Sequence, residues 1–196
     1  MIATIARKEF TELWRDGRFV WTSAILVALF IVALLTGLER SASATRDRAA
    51  AAAETYQQWL DQGEKNPHAA AHYGLYAFKP ETPLAYVDRG INDFAGTSIW
   101  LEAHYQNAAR DRAAQDGSAV QRFGQMTAAF VLQYLMPLVI IALTFSAFAG
   151  ERESGTLRQL MAAGVSRRSL LLGKTLGAAS AVLAVIVPMI LLGSVM

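Results

Sequence analysis

Three stretches without a charged side chain govern what this chain can become. Residues 19–38, 123–150 and 175–196 run for 20, 28 and 22 residues with no Asp, Glu, Lys, Arg or His. At about 1.5 Å of rise per helical residue, each is long enough to cross a hydrocarbon layer of about 30 Å. A soluble protein can bury one such run as a core helix. Three in a chain of 196 residues, 54% apolar and 17% charged, leave too little polar surface to cover them. The expectation is an all-α membrane protein with three transmembrane helices.

The first run has a rival reading as a cleavable signal peptide, with small residues at Ser41 to Ala44. Its uncharged core is long for a signal peptide, and Glu9, Glu12 and Asp16 are mixed with the basic residues before it. An uncleaved span is the better reading.

The flanks set the orientation. Residues 1–18 and 151–174 together hold nine basic and five acidic residues, while residues 39–122 hold nine basic and eleven acidic. The two short basic segments mark the cytoplasmic side, and the long segment 39–122 is then extracytoplasmic, since long loops translocate largely regardless of charge. The pI of about 9.0 follows from a basic inner face beside anionic lipid, and no nucleic-acid partner is expected. With no cysteine, the chain has neither disulfides nor thiolate metal ligands.

Residues 1–18 place Ile2, Ile5, Ala6, Phe10, Leu13 and Trp14 at helical spacing, with Arg7, Lys8, Glu12 and Arg15 between them. This predicts an amphipathic helix in the headgroup layer that turns at Gly17 into the first span. Beyond that span, the alanine-rich stretch lacks Gly and Pro until Gly63, so the helix is expected to continue to about residues 63–67. Residues 72–90 carry two glycines and two prolines and read as loop, and residues 91–112 read as largely helical. Segment 39–122 is thus expected to be mostly helical. Asp116-Gly117-Ser118 supplies a stop and an N-cap before the second span. Pro137 and Pro188 lie within the second and third spans, where each removes a backbone hydrogen bond and can kink its helix.

Signs of chemistry are few. Gly173-Lys174-Thr175 looks like the end of a nucleotide-binding phosphate loop, but the glycine required five positions before Gly173 is replaced by Arg168, and an uncharged run follows. No span holds an ionisable group of the kind that builds intramembrane proton relays. Gln133, Thr144, Ser146 and Ser180 are expected to make interhelical hydrogen bonds. His68 and His72 have the i, i+4 spacing of a two-histidine metal pair, with Glu64 a turn earlier, yet Pro67 interrupts the helix that would align Glu64. The favoured reading is two exposed histidines with no metal, and His104 stands alone in the sequence. No catalytic residue and no cofactor is expected.

The stretch 151–177 carries most information. Leu157, Leu160 and Met161 fall on one side of a short helix that Ser154 or Thr156 can cap and Gly164 can end, and Ser166 can cap the helix that enters the third span. A short helix with an apolar ridge and charged ends is a handle for a soluble partner, or an interfacial helix touching lipid alone.

Following the second span with Glu-x-Glu-x-Gly-Thr, a leucine-containing helix, Val-Ser-Arg and a later Gly-Lys, this stretch resembles the loop of permease subunits of type-2 ATP-binding-cassette transporters. Residues 88–111 look like the subgroup often labelled multicopper-enzyme maturation permeases. The resemblance implies a permease half that couples ATP hydrolysis on a separate subunit to translocation, in a bacterial-type inner (plasma) membrane beside a second permease copy or homologue. Glu151, Glu153, Gly155, Thr156, Leu160, Val165, Ser166 and Arg167 would form the ATPase-binding coupling loop. Many relatives carry proline where this chain has Gly164. The implied organisation is a connecting helix 1–18, spans 19–38, 123–150 and 175–196, an extracytoplasmic segment 39–122 and a coupling loop 151–174. Permeases of this kind have further spans, and the third run closes at Met196 without a polar cap, so a truncated chain is expected. The alternatives are a membrane sensor, though only a short loop follows the second span, and a structural membrane subunit without transport.

Overall fold

The computed structural model describes residues 1–116 and 125–195. They form α1 (Ile2–Arg15), α2 (Gly17–Leu60), α3 (Pro67–Tyr73), β1 (Leu75–Phe78), α4 (Asn92–Ala95), β2 (Ser98–Glu102), β3 (Tyr105–Gln106), α5 (Ala113–Asp116), α6 (Ala128–Glu153), α7 (Thr156–Ala162) and α8 (Arg167–Val195). The protein is mainly α-helical, and α2, α6 and α8 are each long and apolar enough to cross a membrane. Their outer faces stay apolar without being covered: Trp21, Leu138, Ile141 and Phe145 are each more than 60% exposed. Side chains of this kind on a continuous helical surface suit lipid rather than water.

Two compact units are present, one of residues 1–32 and 129–196, the other of residues 33–128. In the first unit the core draws Phe19, Leu26 and Phe30 from α2, Val131 and Met136 from α6, and Leu170, Ala181 and Met189 from α8. A single residue, Asp16, separates α1 from α2. Its carboxylate accepts the Arg18 backbone N–H at 2.9 Å, which satisfies a free donor in the first turn of α2. The turn expected at Gly17 is therefore present, built by its neighbour.

Pro137 shapes α6. Proline offers no N–H, and its ring crowds the carbonyl four residues back. The turn just before it, Val131–Leu135, widens to a π-helix in which the Met136 N–H bonds the Val131 carbonyl. Thr144 and Ser180 do not bond between helices as expected: each hydroxyl donates at 2.7 Å to a carbonyl one turn earlier in its own helix, Ile140 and Leu176. A hydroxyl in an apolar span can satisfy its donor on the backbone of its own helix.

The second unit departs from the expected helical pattern. As expected, α2 continues well past residue 38, and the chain turns at Gly63 with φ 73°. Residues 91–112, expected to be largely helical, hold only the four-residue α4 before the chain becomes extended. Gly96, at φ 84°, ends α4 beside the Arg110 carbonyl. Thr97, Ile99 and Trp100 then favour a strand through their β-branched and aromatic side chains. β2 pairs antiparallel with both β1 and β3, with Tyr76 opposite Trp100 and their rings 4.7 Å apart. Residues 75–78, expected as loop, form β1 because β2 gives their backbone a partner. The sheet is fixed to the continuation of α2, where Arg48 bonds the Lys79 carbonyl at 2.9 Å and pairs with Glu81 at 2.5 Å. Gly37 packs directly on the Tyr86 carbonyl, where no side chain fits. The stop expected at Asp116-Gly117-Ser118 reaches outside the described residues, as do the first residues of the 123–150 run.

Candidate functional site: the α6–α8 loop and its anchor on α1

α1 lies against the start of α8, and two glycines allow it. A Cβ on Gly173 would stand 2.6 Å from the Ile5 Cβ, and one on Gly177 would stand 2.5 Å from the Ala6 carbonyl oxygen. The pair has the small-xxx-small spacing that lets helix backbones approach closely.

Charges lock the contact. Lys174 Nζ lies 2.7 Å from Glu9 Oε2 and 2.9 Å from Glu151 Oε1, and its side chain is only 4% exposed. The ammonium also sits 5.6 Å from the centre of the Phe148 ring. Lys8 reaches Glu151 at 3.6 Å and Glu12 at 2.9 Å. Burial works against the Lys8 charge, but the Glu12 hydrogen bond and the charges of Glu12, Glu151 and Glu9 outweigh it and raise the pKa above 10.5. Three helices are thus tied at one point: Glu9 from α1, Glu151 from the end of α6 and Lys174 from α8.

Beside this anchor opens a cleft of about 730 Å³, bordered by Lys8, Glu12, Glu151, Thr156 and Leu160 among others. Its lining is charged of both signs and hydroxylic, with Glu9 and Ser154 beside Lys174, and among the described residues Glu151 Oε2 has no hydrogen-bond partner.

The loop itself is shaped by its caps. Ser154 and Thr156, expected to cap α7, instead bond the Glu151 carbonyl at 3.3 and 3.2 Å and each other at 2.9 Å, closing the end of α6. The N-cap of α7 is Gly155, at φ 74°, with no side-chain bond. A left-handed residue turns the chain so sharply that the hydroxyls face back toward α6. The other end of α7 is a Schellman motif: Val165 N–H bonds the Leu160 carbonyl at 3.2 Å and Gly164 N–H bonds that of Met161 at 3.1 Å. Gly164 sits at φ 82°, which proline cannot adopt. Leu157, Leu160 and Met161 are half-buried along the expected ridge, and Arg158 and Gln159 are exposed. Ser166 caps α8 as expected, accepting the Ser169 N–H at 3.1 Å.

Of the residues singled out in the sequence, Glu151, Thr156 and Leu160 meet at the cleft, Leu160 and Val165 are joined through the Schellman turn, and Gly155 and Ser166 act as caps. Glu153 and Arg167 are exposed. Glu9 and Lys174 were not in that set. The signal was present, for Glu9 falls in the apolar stripe of α1 beside Ile5, Ala6 and Leu13, where a lone carboxylate requires a partner. The phosphate-loop likeness is also resolved: Gly173, Lys174 and Thr175 lie inside α8.

Three membrane-length helices, with a short capped helix between the second and third, define a multi-pass membrane subunit. Residues 3–196 match the sequence profile described as ABC-2 family transporter protein, and the chain belongs to that family. It is a membrane permease subunit of an ABC transporter, in a family of membrane transport components that generally work with an ABC ATPase. No curated protein and no solved structure matches the chain.

Proposed function

We propose that this permease subunit couples ATP hydrolysis on a separate ATPase to substrate translocation through the α6–α8 loop. The observation that supports it most is the build of α7: a rigid helix between two glycine turns, exposed apart from its ridge, and connected through Glu151 to α1 and α8. A force on α7 is carried to Glu151, and from there to two further helices by charge contacts under 3 Å. In this reading Glu151, Glu153, Gly155, Thr156, Leu160, Val165, Ser166 and Arg167 form the ATPase-binding surface, and α1 is the connecting helix.

The basic balance of residues 1–18 and 151–174 supports a cytoplasmic N-terminus in a bacterial-type plasma membrane, with residues 39–122 outside. A second permease copy or homologue completes the pathway. The multicopper-enzyme maturation subgroup is the narrower assignment we favour, from residues 88–111. ATP binding closes two ATPase subunits, the loops move with them, and the spans rearrange as rigid bodies.

The chain has no native cysteine, so the test is direct. Leu160→Cys, coexpressed with the ATPase encoded nearest its gene, should crosslink to that ATPase in a manner that changes with ATP, while Asp61→Cys should not. Absence of a Leu160 crosslink with both proteins folded would reject the coupling role.

A further inference from the structure

The sequence separates His104 from His68 and His72 by more than thirty residues, yet all three imidazoles meet. One ring nitrogen from each lies within 4.8 Å of the other two, and all three side chains are exposed. His68 Nε2 and His72 Nε2 are 3.1 Å apart, and the His104 ring centre lies 5.7 Å from that of His68 and 5.3 Å from that of His72.

The frame that brings them together is specific. Asn66 caps α3 by accepting the His68 N–H at 2.8 Å, with Pro67 opening the helix, so His68 and His72 stand one turn apart on one face. His104 sits in the two-residue turn between β2 and β3. That turn is fastened to α3 by the Ala103 N–H, which bonds the Ala71 carbonyl at 3.1 Å, between the two helical histidines. His104 itself has φ 65°, a left-handed conformation uncommon outside glycine. A shared proton accounts for the His68–His72 contact alone. It leaves unexplained why a third imidazole is held beside them on a strained backbone.

We propose that His68, His72 and His104 form a three-histidine site for a divalent late transition ion. Three imidazoles with no carboxylate in the set favour Zn2+ or Cu2+ over the oxygen-seeking Mg2+ and Ca2+. Tetrahedral bonds of about 2.0–2.1 Å to nitrogen place ligand atoms about 3.3 Å apart, close to the His68–His72 spacing, and a ring rotation that moves the His104 nitrogen by up to about 1.5 Å brings it in. Three protein ligands leave one position open, so the ion is able to take water or an external donor. The site depends on neither membrane orientation nor an ATPase.

The test uses the full chain in detergent, purified through a tag without histidine, stripped with chelator and titrated calorimetrically with Zn2+, with Mg2+ as control. One Zn2+ per chain is expected, together with a rise in Tm that scales with free Zn2+. His68→Gln and His72→Gln should each lower the affinity at least tenfold. His104→Asn, which tolerates the left-handed backbone, should do the same while the metal-free Tm stays unchanged. Zn2+ binding that is absent from the wild type, or equally tight in His104→Asn, overturns the three-histidine site.

Discussion

The ammonium of Lys174 lies 2.7 Å from a carboxylate oxygen of Glu9, 165 positions away in the chain, and both side chains are more than nine-tenths buried. Removing one partner of such a pair leaves a charge without compensation. Lys174→Met should therefore cost about 3–5 kcal/mol, read as a fall in Tm in detergent. Glu9→Gln combined with Lys174→Met should recover a large part of that loss. Strictly additive losses would show that the two charges do not support each other.

Gly173→Ala and Gly177→Ala each place a methyl group into the α1 backbone or its Ile5 side chain. Overpacking of this kind should cost about 1–3 kcal/mol and free α1 for proteolysis. Gly150→Ala is the control, because among the described residues nothing stands within 4 Å of its added Cβ. It should leave Tm unchanged or slightly raised, as alanine favours the helix.

Gly164 tests whether the Schellman turn matters to coupling. Gly164→Pro cannot hold φ 82° and has no N–H to give to Met161, so it should open the turn and abolish the ATP-dependent crosslink at residue 160. Gly164→Asn, which accepts the left-handed region, should retain most of it. Equal crosslinking in both variants would separate coupling from the shape of this turn.

Asp16 gives a pH signature. Its hydrogen bonds to Arg18, side chain and backbone, hold the carboxyl pKa below 3.8. A lowered pKa means that the stabilisation is present above 3.8 and is lost as pH falls through the lower, folded value. Asp16→Asn, which keeps the cap without the charge, should flatten the acid limb of a Tm-against-pH curve, whereas Asp16→Ala should lower Tm at neutral pH as well.

The spans, the junction near Gly17, the C-terminal end of α7 and the start of α8 were legible because each is decided locally: by charge-free length, by a capping side chain, by a glycine past the last turn. The strands, residues 75–78 and 98–106, were not. Strand pairing is settled by a partner far along the chain, and the local composition of residues 98–102 says only that a strand is permitted. The same limit hid the meeting of His104 with His68 and His72, which depends on the turn of a hairpin that the sequence did not announce. The anchor was half legible. Glu9 stood out of place in an apolar stripe, but nothing local named Lys174 as its partner.

Gly173-Lys174-Thr175 invited comparison with a phosphate loop, and the resemblance has a physical cause. Both arrangements need an ammonium pressed against negatively charged oxygens, at a place where a neighbouring residue must give way to a closely approaching group. A nucleotide site meets that need with phosphates. Here the oxygens are the chain's own, from Glu9 and Glu151, and what the glycine admits is another helix. Three letters thus record a geometry of approach, and the identity of the anion decides whether the result is an enzyme or a joint.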